Sequence, residues 1–256
     1  MKWLHIFVGM SLLWLLAPNP TVSSNTVIRN NSVNIGETNI GRSAHTGSIV
    51  IDQNEYFGTQ HNEEYGPIKK ENRNLEYFDQ ISINVAADIL IRNRNPAKVT
   101  LHAQEHILPI LTTDIEQQKL VIGVNQSFNA TAPIKIVIDA PSIRSILLNG
   151  SGEVKLKNMD GKHLEIRMAG TGDLWAEGSV TTLVVSLEGS GDINTSELLT
   201  DHATVRLSGT GKIKVHAQQR LDSDIQGVGQ IVYYGSPSQV NKSINGVGQI
   251  IPIGAN

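Results

Sequence analysis

Leu187-Glu188-Gly189-Ser190-Gly191-Asp192-Ile193 decides how this chain folds, because its arrangement occurs six times. The Gly-x-Gly centre stands at Gly150-Ser151-Gly152, Gly170-Thr171-Gly172, Gly189-Ser190-Gly191, Gly209-Thr210-Gly211, Gly227-Val228-Gly229 and Gly246-Val247-Gly248. Successive first glycines are 20, 19, 20, 18 and 19 residues apart. Two positions before them stand Leu148, Met168, Leu187, Leu207, Ile225 and Ile244; two positions after each second glycine stand Val154, Leu174, Ile193, Ile213, Ile231 and Ile250. With 39% of residues hydrophobic, one such column is wholly apolar by chance only about 0.4% of the time.

A further alternation precedes each signal. Ile146, Ile166, Val185 and Val205 share a strand face with the first column, while Leu147, Arg167, Ser186 and Arg206 point away from it. That column turns polar at Ser223 and Lys242, as expected close to an end of the stack. A unit this short cannot bury its apolar face alone, whereas stacked copies about 4.8 Å apart can. The spacing therefore predicts an all-β protein: a right-handed parallel β-helix, or solenoid, with coils of about 19–20 residues and at least six of them. The glycines suit corners that need positive φ or close approach between coils. A leucine-rich horseshoe is excluded by the missing Leu-x-x-Leu-x-Leu consensus, and a calcium roll by the missing nine-residue period.

Upstream, Ile81-Ser82-Ile83, Ile89-Leu90-Ile91, Lys98-Val99-Thr100-Leu101, Leu120-Val121-Ile122 and Ile134-Lys135-Ile136-Val137-Ile138 read as short β-branched strands. His106 to Gln118 is the one candidate helical turn, limited by Pro109. Residues 25–75 are rich in Asn, Ser, Gly, Thr and Glu, and read as a flexible polar leader; the β-helix domain is expected over 76–253. Residues 1–24 have the layout of a secretory signal: Lys2, an apolar run from Trp3 to Ala17, then breakers, with cleavage expected after Ser24. Fifteen helical residues rise only about 22 Å against a ~30 Å hydrocarbon core, too short for an anchor. No integral membrane segment is expected after processing.

The 256 residues carry 21 basic and 24 acidic side chains, a balance that argues against a nucleic-acid partner. With no cysteine, the chain has neither a disulfide framework nor a thiolate nucleophile, nor can it be lipidated after export. Rigidity must come from packing and backbone hydrogen bonds.

Phe78-Asp79-Gln80-Ile81, Ile136-Val137-Ile138-Asp139-Ala140-Pro141, Asn149-Gly150-Ser151-Gly152, the quoted Leu187–Ile193 stretch and Tyr234-Gly235-Ser236-Pro237 before Gly246-Val247-Gly248 together resemble the putative auto-transporter adhesin, head GIN domain family. The resemblance spans about residues 78–251. It implies an exported bacterial β-helix with no established catalytic residues, and adhesion as the suggested role. Many relatives resemble lipoproteins, from which this cysteine-free chain departs, and no strands are left over for a membrane barrel of its own.

Other patterns admit chemistry but have plainer readings. His102-Ala103-Gln104-Glu105-His106 matches an inverted zinc-protease motif, which needs both histidines on one helix face; here His102 continues a strand, where i and i+4 lie about 13 Å apart. Glu153, Asp173, Asp192, Lys212, Gln230 and Gln249 form a column whose carboxylates repel and suit calcium or a glycosidase pair, but Lys212 and the glutamines favour a solvated edge. Ser151, Thr171, Ser190 and Thr210 give way to Val228 and Val247, which favours corner packing over a hydroxyl ladder. Trp175, Tyr233 and Tyr234 are the aromatics available for stacking on sugars.

The expected role is thus an exported, non-enzymatic interaction protein of the cell envelope, periplasmic or at the surface, adhesin-like in character. No catalytic or metal site and no cofactor are expected; the partner is an unidentified envelope or surface ligand, protein or glycan, and a homo-oligomer is open. The alternatives are a carbohydrate-active β-helix enzyme and a periplasmic assembly accessory.

Overall fold

The computed structural model describes residues 66–254 together with two short strands, Thr26–Arg29 (β1) and Ser32–Ile35 (β2), which pair antiparallel. The expected signal segment lies outside the described residues, as does most of the polar leader. The chain divides into two compact units, 1–48 and 49–256, and everything below concerns the second.

Four long strands form its centre: Ser151–Met168 (β3), Thr171–Leu187 (β4), Ser190–Leu207 (β5) and Thr210–Ile225 (β6). Each runs parallel to the next, and each bends across the sides of a coil. Val228–Tyr234 (β7), Gln239–Ile244 (β8) and Val247–Ile253 (β9) add the last rungs. All the inward columns read from the sequence are in register. Leu148, Met168, Leu187, Leu207, Ile225 and Ile244 stack along one line, and Val154, Leu174, Ile193, Ile213, Ile231 and Ile250 along another. Side chains in the middle of both lines are fully buried, each contributing roughly 1.5–3 kcal/mol. The solenoid makes about five turns. Six glycine rungs stack, and six corners bound five intervals, so the repeat gives about five turns where the spacing predicted at least six coils. Ser223 keeps its place in the core by donating its hydroxyl to the Asn241 carbonyl (3.1 Å). Lys242 ends the same column with its ammonium 4.9 Å from the Tyr233 ring centre.

A further rung lies below the six. Gln80–Ile83 (β10) pairs in parallel with Ser145–Leu148 (β11), and Asp88–Asn93 (β12) with β3. Asn84-Val85-Ala86-Ala87-Asp88-Ile89 is therefore a degenerate copy of the glycine signal, with Val85 beneath Gly150 and Ala87 beneath Gly152. Residues 94–144 make an excursion from this rung. Lys98–Gln104 (β13) crosses Lys135–Ala140 (β14) antiparallel, and Leu111–Glu116 (β15) forms a hairpin with Lys119–Val124 (β16). The expected helical turn is a 3-10 turn over Leu108–Ile110, and residues 111–116 continue as strand. Ile68–Asn74 (β17), read from sequence as part of the polar leader, is a strand paired antiparallel with β13. Its side chains stay polar because it contributes backbone hydrogen bonds rather than an apolar face, and Arg73 ties it down by donating to the Leu108 and Leu111 carbonyls (3.1 and 2.7 Å).

Candidate functional site

Every corner repeats one hydrogen-bond pattern. The carbonyl of Leu187 accepts both the Ser208 and Gly209 N–H groups (2.9 Å each), and the Gly189 carbonyl accepts from Thr210 (3.0 Å). The same scheme joins Met168 to Glu188 and Gly189, and Leu207 to Gln226 and Gly227. Backbone stacks so closely here that a Cβ on Gly189 would stand 1.8 Å from the Gly170 oxygen. The second glycines from Gly152 to Gly229 also have positive φ, from +128° at Gly152 to +151° at Gly229.

This geometry places the outward rows. The middle residues Ser151, Thr171, Ser190, Thr210, Val228 and Val247 are all exposed, with Val247 70% accessible, so they do not pack into the corner as the sequence suggested. The flanking glycines turn this side chain away from the core. The carboxylate column has a structural task. Asp173 Oδ1 accepts the Asp192 N–H (3.0 Å), Asp192 Oδ1 accepts the Lys212 N–H (2.9 Å), and Asp88 does the same for Glu153 (3.4 Å). Acceptance from an amide stabilises each carboxylate and offsets repulsion along the row.

His102 lies on β13, flanked in register by Lys70 of β17 and Lys135 of β14, while His106 follows the strand in a turn and bonds the Asn129 carbonyl (3.2 Å). Glu105 pairs with Lys69. Two ammonium groups beside His102 oppose a cation there. Burial first, then Lys70 and Lys135, push its pKa down from 6.5 to about 4. Above pH 6.5 both folded and unfolded chains hold it neutral; between 6.5 and about 4 the unfolded chain takes up a proton that the folded one refuses, so stability falls with pH in that window. For this partly exposed ring, screening brings the expected loss to roughly 1–2 kcal/mol. Urea titrations at pH 7 and pH 5 should show a loss that His102→Gln largely removes; equal losses in both proteins would refute the assignment.

The remaining feature is a surface depression of about 240 Å³ fronted by Trp175. It arises where the register shifts at the same corner in three successive pairings: between Leu156 and Met159, Trp175 and Glu177, and Thr195 and Leu199. Trp175 stands in an outward row between Lys155 and Asn194. The Lys155 ammonium is 5.7 Å from the indole centre and 3.1 Å from Glu153. Lys157 and Glu177 face one another at 4.0 Å, and Glu197 completes the rim. Asn194 is oriented by Ser196, whose N–H and hydroxyl both donate to Oδ1 (3.2 and 2.7 Å). Tyr233, by contrast, is 8% exposed and belongs to the core.

The family described as putative auto-transporter adhesin, head GIN domain, matches residues 77–237. The chain belongs to this family. Residues 77–237 of the head GIN domain include the degenerate first rung, the excursion and the corners as far as Gly229. No curated protein matches the chain. Among solved structures, a putative adhesin from Bacteroides fragilis is 21% identical, with 73% of this chain and 97% of that one covered and a TM-score of 0.57, which shows the shared fold. A putative lipid binding protein from Parabacteroides distasonis is 20% identical, with 73% and 96% covered and a TM-score of 0.45. In this head GIN domain the sequence-derived glycines form the scaffold, while the rim of the Trp175 depression was legible only as a lone tryptophan. The clue available was its place in an outward position, two residues after Asp173 and between Lys155 and Asn194 in adjacent repeats.

Proposed function

We propose that this protein is an exported, non-enzymatic display scaffold acting at the cell envelope, with adhesion as its role. Stacked rungs hold outward side chains in straight rows, and this regularity carries the reading: a partner meets a rigid, pre-ordered surface and little conformational entropy is lost on binding. Three depressions among the described residues are shallow, about 240, 260 and 200 Å³ at Trp175, Arg206 and Asp160, below the ~300–1,000 Å³ usual for sites that enclose a small substrate. The head GIN family and its adhesin relatives support the same role.

Antibody labelling and protease shaving of intact cells should find the chain exposed at the surface, and a deletion strain should attach less well to other cells or to a coated substratum. Retention in the cytoplasm would overturn the reading. Chain-dependent release of reducing ends from a polysaccharide panel would instead favour a carbohydrate-active enzyme, and a purely periplasmic location an assembly accessory.

A further inference from the structure

We infer that the depression around Trp175 is a binding subsite for a neutral pyranose oligosaccharide, an inference that rests on the display reading and names its ligand class. Three observations on different levels converge there. The first is the placement of a large aromatic where the fold does not need it. Trp175 is the only tryptophan after Trp14 in a chain with 5% aromatic residues, and it sits in an outward row whose neighbours are Lys155, Asn194 and Lys214. The neighbouring positions on the same strand, Leu174 and Ala176, face the core and are buried, whereas the indole is part-exposed.

The second is the shape. The repeated register shifts pull the backbones out of line at one corner over three pairings, so the depression runs across coils instead of being a chance gap beside one side chain. Gly178, with φ +133° and its absent Cβ 2.1 Å from the Met159 oxygen, holds the bulged backbone in place directly beside it. Scaffold, not loop, therefore fixes the floor.

The third is the chemistry of the rim. Lys155 and Lys157 donate, Glu177 and Glu197 accept, and Asn194 keeps its Nδ2 for donation because Ser196 occupies its Oδ1. Hydroxyl groups both donate and accept, so a polyol suits this mixed rim, whereas a carboxylate, phosphate or amine ligand would meet as many repelling as attracting groups. Two cations against two anions leave the rim without net charge, which selects a neutral ligand. A pyranose ring adds the flat C–H face that an indole accepts, while its equatorial hydroxyls reach the flanking polar groups. Neighbouring coils are about 4.8 Å apart, close to the length of one pyranose unit, so consecutive sugars of an oligomer can follow the depression from one coil to the next.

The test uses the chain from residue 25 onward, in which Trp175 is the sole tryptophan. Its fluorescence should change saturably on titration with at least one of cellotetraose, mannotetraose, xylotetraose and chitotetraose. By calorimetry, Trp175→Ala should weaken that binding at least ~30-fold, and Asn194→Ala or Glu197→Gln about 5-fold each, with melting temperatures unchanged. The inference is overturned if no tetrasaccharide gives a saturable change, if Trp175→Ala binds as the parent does, or if only phosphatidylserine-containing vesicles perturb the fluorescence. None of those outcomes touches the surface-labelling result, so the display role stands or falls separately.

Discussion

Gly191→Ala abolishes cooperative folding of the solenoid, while Gly161→Ala leaves it intact. A Cβ at Gly191 would lie 1.8 Å from the Gly172 oxygen and 2.8 Å from its carbonyl carbon, on a residue with φ +132°. Neither neighbour can yield, since both are backbone held in the inter-coil ladder. Opening one rung by the ångström or more required would break the corner hydrogen bonds and separate Leu174 from Ile193 in the core. Positive φ in an alanine adds strain of about 1–3 kcal/mol, and the total exceeds ~4 kcal/mol against a typical stability of 5–15 kcal/mol. Gly189→Val, with its Cβ 1.8 Å from the Gly170 oxygen, should behave alike. Gly161 has nothing within 4 Å of the corresponding position, so alanine there should change stability by less than ~1 kcal/mol. Far-ultraviolet circular dichroism during urea unfolding measures all three; a Gly191→Ala protein melting like the parent would refute the corner geometry.

Arg92→Met destabilises the excursion side of the solenoid by about 3–5 kcal/mol, the cost of stranding a buried charge. Arg92 on β12 and Asp139 on β14 lie opposite one another and form two hydrogen bonds of 2.7 and 2.8 Å, with side chains only 12% and 14% exposed. Methionine keeps most of the stem volume but leaves the Asp139 carboxylate without its guanidinium. Replacing both, as Arg92→Met with Asp139→Leu, removes the two charges together and should recover most of the loss, since paired burial of charge is itself costly. Shifts in the urea midpoint at constant slope distinguish the two variants. A single variant within ~1 kcal/mol of the parent would show that solvent, not the pair, stabilises these groups.

The repeat was legible because each corner imposes a local requirement on single residues: the carbonyl of the rung below occupies the space of a Cβ, so glycine returns at each winding. That requirement has a direction, which explains what pattern reading missed. Val85 and Ala87 form the rung beneath Gly150 and Gly152, where their carbonyls fill the Cβ sites of those glycines but no glycine marks the rung itself. With Val85 and Gly150 65 positions apart, no period revealed them. Residues 68–74 escaped for another reason: a strand paired through its backbone can be polar along nearly its whole length, here Lys69 to Asn74.

From its residues alone, this protein was committed to stacked aliphatic columns, glycine corners and a fold without disulfides, because inward periodicity and steric exclusion are written position by position. Strand direction in the excursion, the amide-accepting use of Asp173 and Asp192, and the gathering of Lys155, Trp175, Asn194 and Glu197 around one depression were decided only in three dimensions. Those depend on register between segments about 20 residues apart and on bulges that no single repeat encodes.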